Sequence, residues 1–269
     1  MGRLPVSAKA VGRLLRDIEL ARGDHVLAVG GTSELAPELR QQFLRGRADP
    51  AAVRLGAPEG ADAYVHVLAG EPVEEDVDLL QRARRARVPV IAVARASAQR
   101  MATIPYVLAT DVVWVDAGEP FPLETIARVL AVQLGERGAP LAARVPLLHA
   151  AVCERLVQSF ARKNGLVAGI ARADLPVLAL NEVRLVLRLA QAYGAGGLGD
   201  RMPELAATLG AGFGLRALAR ELLGFVPGAG WIVRGGVAYA GTRALGEAAR
   251  LRFALAATPP RAAASRAAP

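Results

Sequence analysis

The sequence predicts an α/β unit on a mainly parallel sheet, followed by an all-helical region. Three observations lead there. Short aliphatic runs alternate with helical patterns over residues 25–134, the signature of strands joined by helical crossovers. One run, Val88-Pro89-Val90-Ile91-Ala92-Val93, is apolar without alternation, as a strand covered on both faces requires. Beyond Pro140 such runs cease and only helical periodicities remain.

Residues 1–22 are expected to form an N-terminal helix, with Ser7 capping positions 8–21 and Val11, Leu14, Leu15, Ile18 and Leu20 on one stripe. The α/β unit is expected over 23–138, with strands at 25–29, 53–55, 63–68, 89–94 and 112–115. Gly30 and Gly31 turn the first strand into a helix. Further helices are expected at 77–86 and 123–134, and residues 135–140, with glycine and proline, read as a linker.

The helical region is expected over 145–255. A helix at 145–163 is ended by Asn164-Gly165, a favourable C-cap pair, and Asp174 caps the next. That helix sets Asn181, Arg184, Arg188 and Gln191 on a polar face and Val183, Val186, Leu187 and Ala190 on an apolar one, and Tyr193-Gly194 stops it. Residues 203–223 and 231–253, joined by a turn at 226–230, suggest a helical hairpin. The tail at 256–269, rich in Ala, Pro and Arg, lacks the apolar pattern of a core and is expected to be disordered.

The net charge of +8 is carried by arginine, since Lys9 and Lys163 are the only lysines. The arginines are spread and aromatics make up 4% of the chain, so no stacking platform for nucleic acid is visible. The single cysteine, Cys153, excludes an internal disulfide and sits among apolar neighbours, as a buried helix position does. No signal peptide is read at the start, so cytoplasmic synthesis is expected. The longest membrane candidate, 222–242, is interrupted by Arg234 and by Gly224, Gly228, Gly230, Gly235 and Gly236, which favours a buried hairpin or a surface-lying segment over a span.

The turn after the first strand is where a phosphate loop belongs. G-x-x-x-x-G-K-[ST] uses backbone N–H groups to cradle phosphates, Lys to neutralise them and a hydroxyl to hold Mg²⁺. Counting from Gly30, the second Gly falls on Leu35, the Lys on Ala36 and the hydroxyl on Pro37. An unorthodox loop remains open as an alternative, with Gly30, Gly31, Thr32 and Ser33 supplying backbone and hydroxyl contacts at a helix N-terminus.

The segments HVLAVGGTSELAPELRQQFL, GADAYVHVLAGEPVEEDVDLLQRARRARVPVIAVARA and VVWVDAGEPFPLETIARVLAVQL resemble, in order, the parts of a bacterial GTPase domain. The resemblance is one of pattern and implies a GTPase-like three-layer fold. Such GTPases carry D-x-x-G for Mg²⁺ and the γ-phosphate, N-K-x-D for guanine and a final S-A-K. Leu55-Gly56-Ala57-Pro58-Glu59-Gly60, Ala92-Val93-Ala94-Arg95 and Asp116-Ala117-Gly118 stand in their places without the required groups. Phosphoryl transfer rests on positioned charge and metal, so GTP hydrolysis is not expected and no catalytic residue or cofactor is nominated.

A second resemblance covers about 147–253. ADLPVLALNEVRLVLRLAQAYG, LARELLGFVPGAGW and AYAGTRALGEAA are similar to the GTPase-associated helical domain of unknown function found in YcjF-like inner-membrane proteins, through Asp174, Pro176, Asn181, Pro227, Trp231 and Thr242 among others. It implies a degenerate GTPase domain followed by this helical domain, a protein partner, and contact with the cytoplasmic face of the membrane. Small residues at 235–241 suit close helix packing. Trp231, Tyr239, Arg234 and Arg243 would alternatively meet lipid headgroups.

The remaining signals are weak. Gly194-Ala-Gly196-Gly-Leu-Gly199 follows a helix, whereas the dinucleotide fingerprint follows a strand. His25, His66 and His149 lack partners at ligand spacing and argue for no metal. Glu71, Glu74, Glu75, Asp76 and Asp78 suit a helix N-terminus, and Arg82, Arg84, Arg85 and Arg87 suit a solvated face pairing with them, or else binding to anionic lipid or a partner. The expected function is that of a non-catalytic, GTPase-like interaction or scaffold protein. The alternative is a nucleotide-binding GTPase-type enzyme with the unorthodox loop.

Overall fold

The computed structural model describes residues 12–14, 16, 23–31, 34–95, 103–170, 175–194 and 231–257. Five strands, β1 (Leu27–Gly30), β2 (Val53–Leu55), β3 (Ala63–Leu68), β4 (Val90–Arg95) and β5 (Val112–Val115), form one sheet in the order β2-β1-β3-β4-β5. Every neighbouring pair is parallel. Helices α1 (Leu35–Arg45), α2 (Glu74–Arg85) and α3 (Leu123–Leu134) cross between or follow the strands. Among the described residues, α4 (Gly138–Arg144), α5 (His149–Ile170), α6 (Leu175–Ala192) and α7 (Trp231–Ala257) make up the helical region.

Alternate residues divide the sheet into two apolar faces. Leu27, Val29, Val65, Val67, Ile91, Val93, Val113 and Val115 join Leu39 and Phe43 of α1 and Ile126 and Leu130 of α3. On the other face Ala28 and Tyr64 meet Ala83, while Leu68, Ala92 and Ala94 meet Leu80, so α2 covers that side. All six residues of β3 are buried, as expected of a central parallel strand.

β2, β3, β5 and α3 have the expected bounds, while β1 and β4 are shifted. His25 and Val26 precede β1 and are tied to Asp62, which stands just ahead of β3, with the Val26 carbonyl accepting from the Asp62 N–H at 2.9 Å. Asp62 holds the His25 ring at 3.0 Å and accepts from the Val26 N–H at 2.8 Å. β4 starts after Pro89, whose carbonyl accepts from the Tyr64 N–H at 2.8 Å. Of the expected N-terminal helix, residues 12–14 and 16 are described and helical. The rest lies outside the described residues.

The expected linker at 135–140 is instead folded and largely buried. Gly135–Arg137 forms a 3-10 turn, and α4 begins at Gly138 with Gly138, Ala139, Pro140, Leu141 and Ala142 all buried. Pro140 is tolerated because the first helical turn has no partner for its missing N–H. A Cβ on Gly138 would stand 3.2 Å from both Leu134 and Val152, so this glycine permits packing.

α5 starts at His149 and runs past Asn164-Gly165, where a C-cap was expected. Asn164 is buried and bonded across the bundle, donating to Thr242 at 3.0 Å and accepting from Asn181 at 2.8 Å. Gly165 faces α7: a Cβ there would stand 3.2 Å from the Gly235 carbonyl and from Tyr239. These side chains belong to a helix crossing, and that packing overrides the cap signal. α6 does stop at Tyr193-Gly194, with Gly194 in the left-handed region at φ 65 and its N–H donating to Gln191. The expected cap Asp174, the hairpin arm at 203–223, the turn at 226–230, the glycine motif at 194–199 beyond Gly194, and the tail from 258 lie outside the described residues.

One hydrophobic cluster runs from the sheet through α3 and α4 into α5, α6 and α7. Two ionic ties cross the same boundary. Arg144 of α4 donates to Asp49 Oδ2 at 2.9 and 3.1 Å and to the His25 carbonyl at 3.0 Å. Glu136 pairs with Lys163 of α5 at 2.6 Å and Arg184 of α6 at 3.0 Å.

Candidate functional site

In a doubly wound sheet of this order, the crevice for ligands opens at the carboxyl ends of the strands where the winding reverses, between β1 and β3. The residues meeting there are Gly30 and Gly31 after β1, Gly56 after β2, and the turn beyond Leu68 after β3. Gly30 is required by crowding, because a Cβ on it would stand 2.5 Å from the Tyr64 hydroxyl and 2.6 Å from the Gly56 carbonyl oxygen. Gly31 lies at φ 136, and a Cβ on it would overlap the Val67 carbonyl. The two glycines thus bring the chain hard against β3, and both are held by backbone packing.

Of the four positions of the phosphate-loop alternative, Gly30 and Gly31 are placed at this edge. Thr32 and Ser33 lie outside the described residues. The next residue, Glu34, is exposed, occupies the N-cap of α1 and makes no capping bond with its side chain. Its carboxylate stands at the positive end of the helix, where an anionic ligand would need to be.

Two arginines around this edge are engaged by the protein itself. Arg54 on β2 donates to the carbonyls of Ala57 (3.1 Å) and Glu59, tying down the turn after that strand. Arg95 ends β4, where the resemblance would need a guanine-reading carboxylate. It reaches the Glu119 carbonyl at 3.4 Å and lies 5.6 Å from the Phe121 ring centroid.

Behind Gly30 runs a buried polar chain that the sequence reading missed. Tyr64 and His66 lie two apart on β3 and so share a face, and Asp76 enters from the first turn of α2. The Tyr64 hydroxyl is 3.0 Å from His66 Nδ1, and His66 Nε2 is 2.9 Å from Asp76 Oδ1. The other Asp76 oxygen accepts from the Val73 N–H at 3.0 Å, satisfying the helix start. All three side chains are essentially closed to solvent. With neutral His66 carrying its proton on Nε2 toward the carboxylate, Nδ1 accepts from Tyr64.

Burial pushes the Tyr64 hydroxyl well above its ordinary pKa, with the nearby Asp76 charge adding to the effect. Burial also lowers the His66 pKa, against the opposing attraction of Asp76. The chain of groups is therefore a neutral imidazole and a protonated phenol arranged on one carboxylate. Asp76 was read as one of several acids suited to a helix dipole. Its position three residues past Val73 at a helix start, together with the Tyr64/His66 alternation, was the available signal.

The other histidines and the cysteine are structural. His25 pairs with Asp62, and His149 packs its ring 5.2 Å from that of Tyr193. Cys153 is buried beside Tyr193 and burial pushes its thiol up to about 11, which holds it as an inert thiol. Among the described residues no group of three His, Cys, Asp or Glu side chains is placed to hold a metal ion. No helix among them is long and apolar enough to cross a membrane. Compared with known proteins, the chain matches no protein-family model, no curated protein and no solved structure.

Proposed function

We propose that the chain is a non-catalytic, GTPase-like protein that acts by interaction, as a scaffold or adaptor, and carries a helical domain of the YcjF-like kind. The observation that carries this reading is Glu34 at the N-cap of α1. The turn from Gly30 to Glu34 contains no Lys or Arg, so a phosphate there would meet a carboxylate in place of a neutralising cation. The bonds of Arg54 and Arg95 to backbone carbonyls support the same reading, since both guanidinium groups are engaged by the chain itself.

Titration of fluorescent GTP, GDP and ATP analogues with Mg²⁺ into the full chain tests it, and the reading requires no saturable signal at micromolar concentrations. Saturable binding would favour the alternative, a nucleotide-binding enzyme working through Gly30, Gly31, Thr32 and Ser33.

Association with the cytoplasmic face of a membrane is the second part of the proposal. Leu251 and Leu255 on α7 are 61% and 77% exposed, and Arg243 is exposed on the same helix. Exposed apolar residues and an exposed arginine on one helix suit a lipid surface with anionic headgroups. Membrane fractionation followed by carbonate extraction tests this part: it predicts recovery with the membranes until carbonate releases the chain. Recovery in the soluble fraction without treatment would contradict it.

A further inference from the structure

The last turn of α2 lies at the opposite, amino edge of the sheet and carries Arg82, Arg84 and Arg85, with Arg87 just beyond it. Arg82 is committed to Glu59 at 2.7 Å and approaches Asp78 at 3.9 Å. Arg84, Arg85 and Arg87 are exposed and form no ion pair among the described residues. The acidic run at the start of α2 does not neutralise them: Asp76 is buried against His66, and Asp78 reaches Arg82.

Beside these arginines stands an ordered aromatic ring. The Arg84 guanidinium carbon lies 5.6 Å from the Tyr106 ring centroid, and Gln81 donates to the Tyr106 hydroxyl at 3.4 Å. Arg85 is one helical turn beyond Gln81 and shares its face. Tyr106 is 43% exposed, and Leu108, two residues on, is 69% exposed.

Two of these residues hold backbone conformations that favour glycine. α2 closes with Val88 N–H donating to the Ala83 carbonyl and Arg87 N–H to that of Arg84, which puts Arg87 at φ 56. Glycine is the usual residue at that position of a helix end. Tyr106 sits at φ 65. A cation and an aromatic ring thus occupy strained positions on one patch.

We propose that Arg84, Arg85, Arg87, Tyr106 and Leu108 form a docking surface for an acidic polypeptide segment that carries apolar anchor residues. Charge complementarity selects the acidic partner, because three guanidinium groups with no carboxylate of their own gain most from forked pairs with Asp or Glu. Tyr and Arg are the anchors that protein interfaces favour, and the Arg84–Tyr106–Gln81 contacts order them before binding. Single-stranded nucleic acid would want several stacking rings, and this patch has one, with Arg84 lying against it. The inference rests on the reading of the chain as an interaction protein, and nucleotide titration tests that reading separately.

The test is fluorescence anisotropy of a labelled peptide of repeating Glu-Glu-Leu, titrated with the full chain. Saturable binding is expected, weakening with salt. It should fall by about tenfold or more in the Arg84→Glu/Arg85→Glu double variant. Arg87→Gly should weaken binding while leaving Tm unchanged or higher, which separates loss of the partner from loss of the fold. Arg47 ends α1 in the same left-handed geometry at φ 64 and lies outside the patch, so Arg47→Gly should leave binding unchanged. Absence of peptide binding, or binding indifferent to Arg84, Arg85 and Arg87, would overturn the proposal. So would tighter capture of oligo-dT or of phosphatidylserine vesicles by the same arginines.

Discussion

Asp76 Oδ1 and His66 Nε2 meet at 2.9 Å in a site closed to solvent, so a carboxylate at the start of α2 is bonded directly to the central strand of the sheet. The same carboxylate closes the helix start through the Val73 N–H. A helix terminus, a strand and the Tyr64 hydroxyl beneath Gly30 therefore share one set of hydrogen bonds.

Asp76→Ala removes the partner of a buried imidazole N–H and of a helix-start N–H together. Hydrogen bonds to charged groups contribute about 1.5–3 kcal/mol and a cap about 1 kcal/mol, so a loss of roughly 2–4 kcal/mol is expected. Urea unfolding followed by circular dichroism measures it, and a loss below about 1 kcal/mol would mean that the pair does not support the fold.

Stability should also depend on pH through two histidines. Burial lowers the pKa of His66 and of His149 in the folded chain, while the unfolded chain titrates near the ordinary 6.5. As pH falls, the unfolded state takes up protons first, so the histidines' contribution to stability should decline from about pH 6.5 downward, through the folded pKa values, and be constant above about pH 7.5. His66→Gln should reduce that slope and leave the His149 part. An unchanged slope in that variant would show that His66 does not contribute to it.

The α5–α7 crossing depends on glycine at some positions and not at others. A Cβ on Gly246 would stand 2.6 and 3.0 Å from the methyl groups of Val157, so Gly246→Ala should cost about 1–3 kcal/mol by overpacking. Gly236 in the same helix meets nothing within 4 Å, and Gly236→Ala should stabilise by about 0.5–1 kcal/mol. Paired melting curves distinguish these signs. Equal effects would contradict the crossing.

Cys153 should react negligibly with a thiol reagent in the native protein at neutral pH and fully after denaturation. Its thiol is buried and raised to about 11, so little thiolate forms and none is reached by solvent. Rapid native labelling would show that α5 opens beside Tyr193.

Sheet elements were legible where apolar runs were bounded by turn residues: residues 53–55, 63–68 and 112–115 stand as strands with those bounds. Signals that local chemistry shares with packing were not. Gly135, Gly138 and Pro140 looked like a linker, yet small residues at that junction let α4 sit against α3 and α5. Gly165 looked like a helix end because a C-cap and a close helix crossing both want glycine. Asp76 looked like one more acid at a helix start, and its buried partner comes from another element. Gly30 and Gly31 were placed by their position after the first strand, but what crowds them, Tyr64 and the Val67 carbonyl, is set by the tertiary fold.

Isothermal titration calorimetry of the full chain with GTP, GDP and ATP in the presence of Mg²⁺ tests the central claim most directly. A carboxylate at the start of α1 and arginines bonded to backbone carbonyls at the strand ends predict no saturable heat with any of the three. A micromolar dissociation constant for one of them, lost on substituting Gly31, would contradict the account.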